Sequence, residues 1–336
     1  MKRRIFSALK ILFFLSIGVF FIWIFVRKLT PDQKQEIWAS FISANYFWII
    51  VSIILGILSH LIRSLRWNML LEPMGYKPKL KNTFSAVMIG YLTNTAIPRL
   101  GEVTRCGILS KYEKIPLSKS FGTVIVERSL DLVVFAVLFF FNLIMFYDKL
   151  GRYVEDRILI PMRNKFDIEN NILAIVLISC IVLFILFFIF RKRIQHLKIY
   201  HKSKEIIHGF WHGLWVVTKI ERPFTFILYT LLIWFLYYMM IYVCFFTMPQ
   251  TNHLGFDVAL SLLMFGSIGI MVVQGGIGIY PAIIAETLIL YDVPTTYGYT
   301  LGWLGWTAQT LMIVITGLVC LVLLPLINKS KEYEKA

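Results

Sequence analysis

The sequence predicts an all-α polytopic membrane protein, and three observations carry that prediction. Of the 336 residues 58% are apolar and 16% charged, against about 45–50% and about 25% in soluble domains. The apolar residues gather in blocks of the length a helix needs to cross a hydrocarbon core of about 30 Å, roughly 20 residues. Mean hydropathy is +0.73. Together these exclude a disordered chain, a disulfide scaffold and an ordinary soluble enzyme.

Six full transmembrane helices are expected, in the order 5–26, 46–66, 118–146, 170–190, 224–247 and 300–325. The first apolar run is too long for a cleaved signal peptide, and Arg27, Lys28, Leu29 and Thr30 offer no small-residue cleavage site. The second ends in Arg63 and Arg66, and the third carries Glu127, Arg128 and Asp131. Two further stretches are broken. Residues 84–97 run into Pro98 and the half-polar segment Arg99–Arg105, and 257–273 stop at Gln274-Gly275-Gly276-Ile277-Gly278 before a second short run, 279–291. Proline and glycine do not sustain a continuous helix. Each stretch is therefore expected to be a re-entrant, broken helical hairpin, with two complete crossings as the alternative for the second.

Orientation follows from the Lys and Arg distribution. With the N-terminus inside, 25 of the 34 fall on inner segments and 8 on outer ones, giving net charges of +18 inside, −1 outside and −2 embedded. Both termini are then inside, in a bacterial-type cytoplasmic (inner) membrane. The formal charge of +15 is read as a cytoplasmic face against anionic headgroups, with no nucleic-acid partner. Segment 191–222, basic and carrying Trp211 and Trp215, reads as an interfacial stretch. Cys106, Cys180, Cys244 and Cys320 lack metal or redox spacing and read as buried thiols.

The spacing suggests an inverted repeat inside a single transmembrane domain, 1–336. In the unit 46–146 the break at 98 and the apolar part of the next crossing, from near 121, lie 52 and 75 residues after the start; in the unit 224–325 the break near 276 and the crossing at 300 lie 52 and 76 after it. Two such units of opposite orientation, each with a broken segment, are the pattern of transporters built from inverted repeats.

Polar groups in a bilayer are costly, so they face a cavity or one another. Three sets stand out as candidate substrate-binding groups. The first is Asn94, Pro98, Arg99, Gly101, Glu102 and Arg105: Pro98 ends a half-helix, Gly101 permits a tight reversal, and Arg99 and Arg105 offer guanidinium forks to a lipid phosphate. Glu102 holds one arginine or meets a cationic headgroup. The alternative is a snorkelling Arg-Glu-Arg set at the inner interface. The second set is Glu127, Arg128 and Asp131, whose i, i+4 and i, i+3 spacings share a helix face. Two acids against one base call for another cation, and Arg99 or Arg105 would serve. A purely structural ion pair is the competing reading. The third set is Gln274, Gly275, Gly276, Gly278, Tyr280 and Glu286, where backbone exposed at a break must line a cavity or lie in protein. Close helix packing also accounts for such a glycine run.

The segments Arg63-Ser-Leu-Arg-Trp-Asn-Met-Leu-Leu71, Gly90–Arg105, Val126-Glu-Arg-Ser-Leu-Asp131 and Gly275-Gly-Ile-Gly278 occur in that order. Together they resemble the lysylphosphatidylglycerol synthase transmembrane family of flippase-like membrane proteins, over about residues 5–325. The resemblance implies a domain that moves a lipid or lipid-linked headgroup between leaflets, with family motif positions at Asn94, Pro98, Gly101, Glu102, Arg105, Glu127, Arg128 and Asp131. One departure is Tyr280-Pro281, where many members carry an acid soon after the glycine motif, unless Glu286 substitutes. Members that synthesise aminoacylated lipid carry a soluble transferase domain, whereas here only 328–336 follow the last span; synthesis of lysylphosphatidylglycerol is not expected.

No nucleophile motif, P-loop or metal-ligand cluster is found in the sequence. His208 and His212 flank Trp211 in the basic segment, and His60 reads as a packed polar group. The expectation is a lipid flippase or scramblase-like transporter, not an enzyme, with membrane lipids as partners, chiefly anionic phospholipid headgroups, and no cofactor. The alternatives are a membrane-embedded partner of a lipid-modifying enzyme and a structural membrane subunit.

Overall fold

The structure is a computed structural model, described here for residues 29–97, 99–147 and 220–333, with 16, 19–20, 22–27, 151 and 160. The predicted span 170–190, nearly all of 191–222, most of 5–26, and Pro98 lie outside the described residues. So do Cys180, His208 and His212.

The described elements are helical. They are α1 (Pro31–Ser43), α2 (Tyr46–Leu71), α3 (Leu80–Ala96), α4 (Gly101–Glu113), α5 (Leu117–Met145), α6 (Pro223–Cys244), α7 (Phe256–Val272), α8 (Ile279–Ile289) and α9 (Thr295–Tyr333). Among the described residues three segments are long and apolar enough to cross a membrane: Tyr46–Met74, Pro223–Thr247 and Thr295–Asn328. Helix α8 has 11 residues, about 16 Å at 1.5 Å per residue, and so falls well short of the core thickness.

Local chemistry explains most boundaries. Thr30 caps α1 in a capping box with Gln33, followed by Pro31 at the first helical position. Asn45 accepts from the N–H of Phe47 at the start of α2. Breaks fall where the sequence places them, with α3 ending at Ala96 and α4 starting at Gly101, and α7 ending at Val272 before Gly275, Gly276 and Gly278 take positive φ. Helix α2 departs from expectation. It continues past residue 66 to Leu71, and Arg63 and Arg66 are buried within it, not presented to an inner loop. Ion pairing inside the protein takes the place of solvent for both.

The chain divides into two compact units, Met1–Glu127 with Val217–Ala336, and Arg128–Val216. In the first, α2 packs along α6, and α9 packs on α8, α3, α1 and α2. The main core cluster joins the ends of α6 and α7 to α8 and α9, through residues such as Phe245, Leu262, Tyr280, Ile284 and Leu301. Close backbone approach depends on glycine. A Cβ at Gly302 would lie 2.6 Å from the Cα of Pro281 in α8, and one at Gly317 would lie 2.7 Å from Leu92 in α3. Helix α9 thus carries both broken segments, at points about 22 Å apart along its axis. In the second unit the described part is the remainder of α5, where Phe135 and Phe139 stack at 5.9 Å and Phe140, Phe141 and Ile144 are exposed.

Candidate functional site

Glu127 of α5 is completely buried, and three guanidiniums converge on it. Arg63 donates from Nη1 to Oε1 at 2.5 Å, Arg105 donates from Nη2 to Oε2 at 2.5 Å, and Arg66 Nη2 stands 3.7 Å from Oε1. These four are the buried charged side chains among the described residues, each no more than 3% exposed. Burying an ion costs several kcal/mol unless it is paired and its remaining hydrogen-bonding capacity is met. The surroundings supply part of that, through the guanidinium Nη atoms and not through Nε. Arg63 donates to the Tyr237 hydroxyl at 3.1 Å, and Arg66 to Thr230 Oγ1 at 3.2 Å. The Arg105 guanidinium lies 3.8 Å from the Trp67 ring centroid, a cation–π contact worth about 2 kcal/mol when desolvated. Trp67 is itself held by a bond from Nε1 to Thr123 Oγ1 at 2.8 Å.

The charge balance corrects the sequence expectation. The sequence spacing predicts an acidic set with a net negative embedded charge at Glu127, Arg128 and Asp131. The buried charges are instead three arginines and one glutamate, because α2 turns Arg63 and Arg66 inward. Arg128 is exposed and Asp131 half-buried. Arg105, one of the two cations anticipated as partners for the acids, does meet Glu127; Arg99 is exposed. Arg63 and Arg66, together with Trp67, Thr123, Thr230 and Tyr237, join the site only through the fold. A signal for the arginines was present: apolar residues continue through Met69, Leu70 and Leu71 beyond them.

The first break is built differently from the expected glycine reversal. The left-handed position is Arg99, at φ +64°, while Gly101 opens α4 as an ordinary helical residue. Glycine is needed at 101 for proximity: a Cβ there would lie 2.2 Å from the Gly90 carbonyl oxygen and 2.6 Å from Asn94 Cγ. Asn94 Oδ1 accepts the Gly101 N–H at 2.7 Å, satisfying a donor at the start of α4. Asn94 Nδ2 also points at Glu102, at 3.4 Å. Glu102 is thus placed on Asn94. Pro98 belongs to the same turn in sequence but lies outside the described residues.

The third set disperses. At the second break Trp306 Nε1 donates to the Gly275 carbonyl at 2.6 Å, so this backbone oxygen is engaged by the protein itself. Gly276 packs against Ile270, and Gly278 caps α8. Gln274 sits in the turn, and its side chain lies outside the description. Tyr280 enters the apolar core, while Glu286 is exposed on α8. Beside Tyr280 a cavity of about 20 Å³ is lined by Ser52, Cys244, Ile284 and Gln309, room for about one water molecule. Cys106, Cys244 and Cys320 are free and buried. His60 is buried with its ring 4.7 Å from that of Tyr91. Among the described residues no group of three or more His, Cys, Asp or Glu side chains is placed to hold a metal ion.

The family described as the lysylphosphatidylglycerol synthase TM region matches residues 7–317. The chain belongs to this family. Among curated relatives it is similar to a UPF0104 membrane protein of Methanocaldococcus jannaschii, 36% identical over 121 residues, which are 35% of this chain and 36% of the relative. It is also similar to a UPF0104 membrane protein of Methanothermobacter thermautotrophicus, 25% identical over 117 residues, 33% and 34% of the two chains. The matched region thus spans about a third of each relative's length. No solved structure matches the chain. Family membership and the long apolar helices make this an integral membrane protein.

Proposed function

We propose that the chain is a flippase or scramblase-like transporter that moves a phospholipid or lipid-linked headgroup between leaflets, and that it is not an enzyme. The observation that carries this reading is the redundancy at Glu127. Three guanidiniums face one carboxylate, and only Arg105 comes from the broken segment α3–α4; Arg63 and Arg66 come from α2. Arg105 can leave for a lipid phosphate while the two α2 arginines keep Glu127 neutralised, which avoids the cost of an isolated buried charge. An anionic phospholipid headgroup suits such a site, since arginine binds phosphate bidentately. Arg99, exposed at the break, is the first cation such a phosphate would meet.

This reading includes six crossings with both termini inside a bacterial-type cytoplasmic membrane and two re-entrant hairpins in an inverted repeat. Element order supports the repeat. The helices α2 to α5 have 26, 17, 13 and 29 residues, and α6 to α9 have 22, 17, 11 and 39. The shortness of α8 supports the hairpin over a complete crossing.

A second reading, a structural subunit or a partner of a lipid-modifying enzyme, is favoured by one observation: the four charged side chains are closed off from solvent. Leaflet exchange of fluorescent lipids in liposomes separates the two. The transporter reading expects exchange above protein-free liposomes with at least one headgroup class, strongly reduced by Arg105→Gln and by Arg99→Ala in folded protein. No exchange with anionic, zwitterionic or cationic lipids would refute it. Exchange untouched by either substitution would refute the site.

A further inference from the structure

Helix α1 is amphipathic in an unusual way. Its inner face, Ile37, Ser40 and Phe41, is buried or half-buried, and Phe41 packs against the main core cluster. On the opposite face Trp38 and Ile42, one helical turn apart, are 68% and 69% exposed. Asp32, Lys34 and Ser43 are exposed beside them. A large aromatic and a β-branched residue left facing water forgo the stabilisation that burial of their apolar surface would bring.

The rotation of α1 is not adjustable. The helix packs on α9. The corner into α2 is pinned by three bonds: Asn45 N–H to the Thr247 carbonyl at 2.8 Å, the Tyr46 hydroxyl to the Phe41 carbonyl at 2.7 Å, and Phe47 N–H to Asn45 Oδ1 at 3.1 Å. Ala44 and Asn45 are extended, so α1 turns off the line of α2. The exposed stripe does not stop at that corner. It continues down α2 as Phe47, Ile50, Ile54 and Leu58, at spacings of three and four, the outward face of a helix long and apolar enough to cross a membrane.

We propose that α1 is an interfacial helix that lies on the bilayer surface, with Trp38 and Ile42 inserted at the headgroup–acyl boundary. The occupant of the exposed strip is lipid, because the strip is continuous with the lipid-facing side of α2 and sits at the end of that span. Tryptophan suits this depth, its ring apolar and its N–H free to meet headgroups. Interfacial helices bury their apolar face about 5–10 Å into this layer. The acidic Asp32 and Glu36 beside the single Lys34 mean that apolar insertion, not attraction to anionic lipid, holds the helix down. The inference rests on α2 crossing the bilayer and is independent of any transport activity.

Site-directed spin labelling of the full chain in phosphatidylcholine vesicles tests it. Trp38→Cys, Ile42→Cys, Asp32→Cys and Ile54→Cys are made with the four native cysteines replaced by alanine, keeping variants that retain the thermal unfolding of the parent. Expected is a ratio of oxygen to water-soluble nickel-chelate accessibility several-fold higher at 38 and 42 than at 32, and highest at 54. Labels at 38 and 42 as open to the chelate as 32, with 54 still lipid-exposed, would overturn the proposal and put α1 in water. Labels at 38 and 42 closed to both reagents would also overturn it, since protein would then cover the strip. A water-exposed 54 would instead refute the membrane placement of α2 on which the inference stands.

Discussion

Replacing Glu127 with glutamine removes the charge that three guanidiniums share and keeps the side chain's shape. Deleting one partner of a buried ion pair costs about 3–5 kcal/mol, because the other charge stays buried and uncompensated. Here two arginines bond the carboxylate at 2.5 Å and a third lies at 3.7 Å, so Glu127→Gln should fall near the upper end, ~5 kcal/mol. Removal of a single arginine leaves the carboxylate with two cations. Arg63→Met, Arg66→Met and Arg105→Met should therefore each cost less, about 1–3 kcal/mol. In detergent-purified protein, thermal unfolding should drop on the order of 5–10 °C for Glu127→Gln, and by a smaller amount for each arginine variant. The double variant Glu127→Gln/Arg105→Met should recover part of the loss, a coupling that a double-mutant cycle isolates. The reasoning fails if Glu127→Gln unfolds at the parental temperature, or if any single arginine variant is more damaging than the loss of the acid.

Two glycines in α4 should respond with opposite sign to alanine. Gly101→Ala drives a Cβ to 2.2 Å from the Gly90 carbonyl and should cost about 1–3 kcal/mol or more, whereas Gly107→Ala meets nothing within 4 Å and should gain ~0.5–1 kcal/mol from helix propensity; thermal shifts of equal sign would refute the close-approach argument. Trp67→Phe removes the bond to Thr123 and weakens the ring beneath Arg105, for a loss of about 1–2 kcal/mol, again read as a fall in unfolding temperature.

Much of the helical layout was legible in the sequence. The ends of α5 and α6 lie within a residue or two of the expected 118–146 and, with the short helical turn at Phe245–Thr247, 224–247. Both breaks fall at the proline and glycine segments that mark them. The candidate site was legible only in part. Glu127 and Arg105 carried a signal because charges inside an apolar block or at a break are conspicuous. Arg63 and Arg66 carried a weaker one, the apolar residues Met69, Leu70 and Leu71 beyond them, because two arginines near the edge of an apolar run look much the same whether they face headgroups or turn inward. Local sequence suggests a turn as the role of Gly101, whereas the constraint in the structure is the approach of α3 to α4, which involves a residue 11 positions earlier, Gly90.

What the sequence by itself determined is the material of the fold: apolar helices, their approximate ends, and the places where backbone geometry must break. These are local consequences of side-chain hydrophobicity and of proline and glycine stereochemistry, and no distant partner enters them. Tertiary structure alone decided the sign of the buried charge. Arg63 is 64 residues from Glu127 and Arg105 is 22 away, so their meeting depends on how α2, α4 and α5 rotate about their axes and pack. That rotation is set by the summed contacts of whole helix faces, and it turns what reads as a basic juxtamembrane edge into three guanidiniums closed around one carboxylate.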